Sequence, residues 1–140
     1  MLVSEENIIS VIPQRAPFVM IDALLESSDT STKTGFNVKR SDLFFENDLL
    51  QEPALVENIA QTAAAGVGYR AQQNGTEVPV GFIGAIQQLQ IFQLPKENDW
   101  LETEVTVTNQ VFDVSFIRGT IHCNHELLAQ CDMKIFISKQ

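Results

Sequence analysis

"EPALVENIAQTAAAGVGYRAQQNG", residues 52–75, is the stretch on which the fold turns. Pro53 suits the first helical position, where its missing N–H would have had no partner, and Asn74-Gly75 supplies a stop where the backbone can turn left-handed. The residues between them are good helix formers, so the spacing predicts one helix of about 20 residues. Leu55, Ile59, Ala63 and Val67 fall on one line along it, and Val56, Ala60 and Ala64 on a second line beside the first. Most of the circumference is therefore apolar, which predicts a buried helix rather than a surface one. The small residues Ala63, Ala64, Ala65, Gly66 and Gly68 predict that a sheet comes close to the helix axis. A membrane span is the competing reading. Glu57, Asn58 and Gln61 in the first half of the helix argue against it, since each would cost free energy in hydrocarbon.

On either side of this helix the pattern changes period. After it, "LETEVTVT" sets Leu101, Thr103, Val105 and Val107 on one face of a strand. "FDVSFIRGTIHC" alternates through Phe112, Val114 and Phe116, then moves to Ile117, Gly119, Ile121 and Cys123, which predicts a bulge near Gly119. "LAQCDMKIFI" points Ala129, Cys131, Met133, Ile135 and Ile137 inward, with a turn at Asn124-His125. Before the helix, "FVMIDALLE" reads as a strand, and Thr32, Thr34, Phe36 and Val38 as the inward face of another. Ser4, followed by Glu5 and Glu6, reads as the start of a short helix that ends by Pro13. The expected architecture is α+β: a long antiparallel sheet curled around one buried helix, in a single domain spanning residues 1–140.

The chain has 140 residues, 44% of them hydrophobic and 19% charged, an ordinary globular composition. Nine Lys and Arg against eighteen Asp and Glu give a net charge of −9, which would repel a phosphate backbone and excludes nucleic acid as a natural partner. No apolar run is long enough for a membrane-spanning helix, and Glu5 and Glu6 stand where a secretory signal carries positive charge, so a cytoplasmic location is expected. Cys123 and Cys131 sit among apolar neighbours and read as reduced thiols. "HCNH" at residues 122–125 lacks a second pair of ligands and reads as a solvated hairpin turn, so no metal site is expected. Lys39, Arg40 and Arg70 read as parts of a solvated face.

The stretch "IPQRAPFVMIDALLE" (residues 12–26), the helix segment "ENIAQTAAAG" (57–66) and the tail "RGTIHCNHELLAQCDMKIFI" (118–137) resemble, in order and spacing, the FabA/FabZ-type 3-hydroxyacyl-acyl carrier protein dehydratases. The resemblance covers most of the chain. It implies the hotdog fold, in which a sheet wraps a central helix and two protomers pair edge to edge, as a homodimer or as a heterodimer with a related hotdog protein. It further implies a narrow apolar tunnel that holds an acyl thioester, carried on acyl carrier protein or coenzyme A, in fatty acid or polyene-type lipid synthesis. No metal or cofactor is implied. The family's site pairs a histidine from one chain with a helix carboxylate from the other. The carboxylate falls on Glu57 as the catalytic residue, beside the matching Ala60-Gln61 pair, and the histidine position is Gln14.

That exchange bears on the chemistry. Dehydration removes a proton beside the thioester carbonyl and protonates the departing hydroxyl. An imidazole can do this near neutral pH, and a carboxamide cannot usefully accept a proton. Gln14 and Gln61 are therefore expected to bind and orient substrate, and the chain is expected to be a weak or inactive dehydratase alone. Two further readings stand beside it: a hotdog acyl thioesterase that uses Glu57 to activate water, and a non-catalytic partner subunit of an active dehydratase. The approach to the helix, "FFENDLLQEPALVE", carries no glycine where the family places a carbonyl-binding amide; Glu52 and Pro53 stand nearest that position.

Overall fold

The computed structural model describes residues 1–138; Lys139 and Gln140 lie outside the described residues. Six strands form one antiparallel sheet around a single long helix. In chain order the elements are a short 3-10 helix (Glu5–Ser10), β1 (Ala23–Ser27), β2 (Ser31–Asn37), a small hairpin of β3 (Phe45–Glu46) and β4 (Leu49–Leu50), α1 (Glu52–Gln73), β5 (Val80–Ile91), β6 (Trp100–Val111), β7 (Val114–Cys123) and β8 (Glu126–Ser138). The spatial order is β1-β2-β6-β7-β8-β5. This is the hotdog arrangement expected from the sequence, with the sheet's inner face and one face of α1 sharing a core of Phe36, Leu55, Ile59, Leu101, Ile117, Ile121 and Met133.

Helix α1 runs between the signals read in the sequence, with Pro53 in its first turn, Asn74 as its C-cap and Gly75 at φ +69°. The small residues divide into two roles. Gly66 and Gly68 allow close approach: a Cβ on Gly66 would lie 2.2 Å from the Thr32 hydroxyl oxygen, and one on Gly68 would lie 1.8 Å from the Val11 carbonyl oxygen. Ala63 and Ala64 instead leave space, as described below.

Strand β6 keeps the expected face, with Leu101, Thr103 and Val105 buried. In β8, Ala129, Cys131, Met133 and Ile135 are buried, with Ile137 packed against them. The turn at Asn124 and His125 has positive φ at both residues (51° and 69°), the geometry of the tight hairpin turn whose twist matches antiparallel strands.

Three expectations are corrected. The phase of β7 does not slip: Ser115, Ile117, Gly119 and Ile121 all face inward, while Val114 and Phe116 lie on the outer face. The irregularities sit instead on its neighbours: on β6 between Val107 and Asn109, opposite Ile117 and Phe116, and on β8 between Leu127 and Ala129, opposite His122 and Ile121. The first strand begins at Ala23, not Phe18. Residues 18–20 have no strand partner because helix side chains take their hydrogen bonds. The Met20 N–H donates to Gln61 Oε1 at 2.6 Å, Asn58 Nδ2 donates to the Met20 carbonyl at 2.7 Å, and Gln61 Nε2 donates to the Phe18 carbonyl at 2.8 Å. Ser4 precedes the N-terminal 3-10 helix without capping it through its side chain.

Strand β5 is the element that the sequence pattern does not announce. "VGFIGAIQQLQI" mixes glycine, apolar and polar residues without a clean period of two, and its pairing with β8 is broken at Ile83/Ala85 and at Gln87/Gln90. It forms one edge of the sheet.

Candidate functional site

A cleft of about 550 Å³ lies between α1 and the inner face of β5–β8. Its helix wall is the line Glu57, Ala60, Ala64 and Val67, with Ala63 beside it and Arg70 one turn further on. These positions are three and four residues apart and therefore share one face of the helix. The opposite wall is apolar, with Val105, Val107, Ile117, Ile135 and Ile137. Pro13 and Gln14 close the cleft from the N-terminal segment. The alanines explain the space: with only a methyl group at three successive lining positions, the helix cannot fill the distance to the sheet.

One chain thus brings Gln14 and Glu57 to the same cleft, which the resemblance had divided between two chains. Glu57 is half-buried, and its Oε2 accepts a hydrogen bond from Gln61 Nε2 at 3.2 Å. Among the described residues no donor reaches its other oxygen. Gln14 is also half-buried, and its Oε1 is buried without any hydrogen-bond partner. A buried carbonyl oxygen left without a donor is costly, and because it has no exposed surface of its own it meets a bound molecule only when the Gln14 side chain turns into the cleft.

Gln61 is placed differently from expectation. It is fully buried and is not among the residues lining the cleft. Its amide holds Met20 and Phe18 on one side and the Glu57 carboxylate on the other. Gln61 therefore fixes the carboxylate and the loop of residues 18–20 relative to each other. The sequence marks Asn58 only as a polar residue unsuited to a membrane. Besides holding Met20, its Oδ1 accepts from the Thr103 hydroxyl on β6. Thr62 donates to the Asn58 carbonyl at 2.8 Å, so in its 2.7 Å contact with Thr34 the Thr34 hydroxyl is the donor. These buried polar side chains fix α1 against β2 and β6. The signal in the sequence was their presence on a helix whose circumference is otherwise largely apolar.

The start of α1 offers little to a thioester carbonyl. Pro53 has no N–H and the N–H of Ala54 is taken by the Gln51 carbonyl at 3.0 Å, which leaves the Glu52 N–H as the one amide near that position. Two of the cations weighed as solvated are paired within the chain: Lys39 with Asp22 at 3.6 Å, and Arg40 with Asp48 and Glu97 at 2.8 and 3.1 Å. Arg70 donates to the Ser28 carbonyl at 3.0 Å. Among the described residues no cluster of His, Cys, Asp and Glu could hold a metal ion, and no helix is long and apolar enough to cross a membrane. Cys131 is buried, which pushes its thiol up to about 11.

A family model described as ApeP-like (ApeP dehydratase) matches residues 6–140. Among curated relatives, the 3-hydroxyacyl-[acyl-carrier-protein] dehydratase FabZ of Halalkalibacterium halodurans is 28% identical over 94% of this chain and 96% of its own length. That of Bacillus velezensis is 23% identical over the same shares. Among solved structures, the dehydratase heterocomplex ApeI:P from Xenorhabdus doucetiae superposes with a TM-score of 0.81 at 14% identity, over 95% of this chain and 91% of that one. A hypothetical thioesterase of Streptococcus pneumoniae, solved with coenzyme A, gives a TM-score of 0.67 at 12% identity, over 84% and 85% of the two chains. At these identities the structural likenesses establish the hotdog fold.

Proposed function

Since the chain belongs to the ApeP-like dehydratase family, we propose that it binds 3-hydroxyacyl thioesters in the α1 cleft as one subunit of a hotdog dehydratase, with Glu57 as its proton-transfer group and no base of its own. The observation that carries this reading is the shared placement of Gln14 and Glu57 on one cleft, with the Gln14 carbonyl oxygen buried and unpartnered. A dehydratase must take a proton from C2 and give one to the hydroxyl leaving C3. Glu57, held through Oε2 by Gln61, can protonate the leaving oxygen through Oε1. Gln14 can accept a hydrogen bond from the 3-hydroxyl or from an amide of the carrier arm and so orient the substrate, but it cannot remove the C2 proton. Gln61 positions Glu57 and does not touch substrate.

A second hotdog chain that brings an imidazole opposite Glu57 would complete the pair, which fits the description of the Xenorhabdus protein as a heterocomplex. The open edge at β5 is where such a chain would join. Phe82, Ile86 and Leu89 are exposed along it, and an edge strand that presents apolar side chains and free backbone groups is prone to pair. On this reading the chain works in acyl-thioester metabolism, in fatty acid or polyene-type lipid synthesis, in the cytoplasm.

The test is a paired assay on the purified chain with crotonyl-coenzyme A. Hydration is followed by loss of the enoyl-thioester absorbance, and hydrolysis by release of free thiol. The expected result is hydration close to background and no hydrolysis. Thiol release that disappears in Glu57→Ala would replace this reading with the thioesterase one.

A further inference from the structure

The cleft has a measurable length. Along its helix wall the lining is apolar between two charged residues: Glu57 at one end and, thirteen residues on, Arg70 at the other, where Arg70 holds the Ser28 carbonyl. Between them the lining positions trace one line along α1. Ten residues separate Glu57 from Val67 and thirteen separate Glu57 from Arg70, or about 15 and 20 Å at the helical rise. A fully extended chain advances about 1.2 Å per bond, since three backbone bonds span roughly 3.3–3.6 Å. The apolar run therefore takes about 12 bonds to reach Val67 and about 16 to reach Arg70.

Resting on the reading of this cleft as the thioester site, we propose that it selects long acyl chains, of about 16 carbons, and that Val67 is the residue that sets this length. With C3 beside Glu57, an eight-carbon chain has five further bonds and ends about 6 Å along the helix, near Ala60. A sixteen-carbon chain has thirteen and passes Val67, stopping short of the charged end at Arg70. Val67 is the largest apolar side chain on the helix wall of the cleft and belongs to neither of the two packed cores. Its size can therefore change the room for ligand without opening a core. Each methylene moved from water to an apolar wall strengthens binding by about fourfold, so the distal carbons carry much of the selectivity.

The experiment measures binding of octanoyl- and palmitoyl-coenzyme A, both saturated and unreactive toward dehydration, by calorimetry below their micelle concentrations, with free coenzyme A as the control. The full-length chain should bind palmitoyl-coenzyme A at least 100-fold more tightly than octanoyl-coenzyme A. Val67→Phe should weaken the palmitoyl thioester tenfold or more and leave the octanoyl thioester within about twofold, since the octanoyl chain ends before that residue. Val67→Ala guards against a folding defect in the phenylalanine variant; it should leave octanoyl binding unchanged and keep palmitoyl binding within tenfold of the parent. Equal affinity for both lengths, or equal weakening of both by Val67→Phe, would overturn the length assignment while leaving the thioester site standing. Binding of neither thioester above free coenzyme A would overturn the site as well.

Discussion

Glu57 and Gln61, one turn apart on α1, share a hydrogen bond of 3.2 Å, and the amide nitrogen that donates it also holds the Phe18 carbonyl at 2.8 Å. The carboxylate on the cleft and the loop that follows the Gln14 segment are thus tied by one side chain. Gln61→Ala would leave the Met20 N–H and the Phe18 carbonyl without partners, and groups of this kind cost about 1–3 kcal/mol each. The expected loss of stability is about 2–6 kcal/mol, read from urea denaturation; a loss below 0.5 kcal/mol would show that the loop is held by something else.

Thr34 and Thr62 form a buried hydroxyl pair between β2 and α1. Thr62→Val removes an acceptor that the Thr34 hydroxyl needs, and should cost about 1–3 kcal/mol. Replacing both residues by Val removes both polar groups together, so the double variant should be more stable than the sum of the single changes predicts, by about 1 kcal/mol. Additive losses in this double-mutant cycle would contradict the pairing.

Sequence and structure agree most closely where the pattern is periodic. Helix α1 and strands β6 and β8 could be read because their apolar residues recur at three and four or at two. Residues 18–20 and strand β5 could not. The sequence around Phe18 and Met20 has strand composition, yet its backbone groups bond to Asn58 and Gln61, some forty residues away in the chain, and no local pattern records that. Strand β5 is exposed on both faces along most of its length, so its side chains carry no requirement to alternate between core and water. The resemblance singled out Glu57 and Gln14, which line one cleft, but not that a single chain brings both to it. The positioning role of Gln61 was not legible, because it depends on which way an amide on the helix faces.

Burial raises the carboxyls of Asp22 and Asp42 above their usual value of 3.8, against the opposing pull of backbone N–H groups and Lys39. The folded state therefore holds these protons more tightly than the unfolded chain. The stability this contributes is fully present below the unfolded value and is lost as pH rises through the folded one. The melting temperature is expected to fall as pH is raised above the ordinary carboxyl value of 3.8, and Asp22→Asn should flatten part of that fall. A melting temperature that rises over this range, or an unchanged slope in the variant, would contradict it.

The central claim is that the cleft is a dehydratase site lacking its base at residue 14. The most direct measurement is hydration of crotonyl-coenzyme A by the parent chain, by Gln14→His and by Gln14→His combined with Glu57→Ala. The account predicts near-background activity in the parent, a clear gain with the histidine, and loss of that gain when Glu57 is removed. The gain should be modest, because Pro53 supplies no amide to the thioester carbonyl and the Ala54 N–H is already taken, and loss of one such donor costs roughly 10²–10³ in rate. Strong hydration by the parent chain, or a histidine variant whose activity survives removal of Glu57, would contradict it.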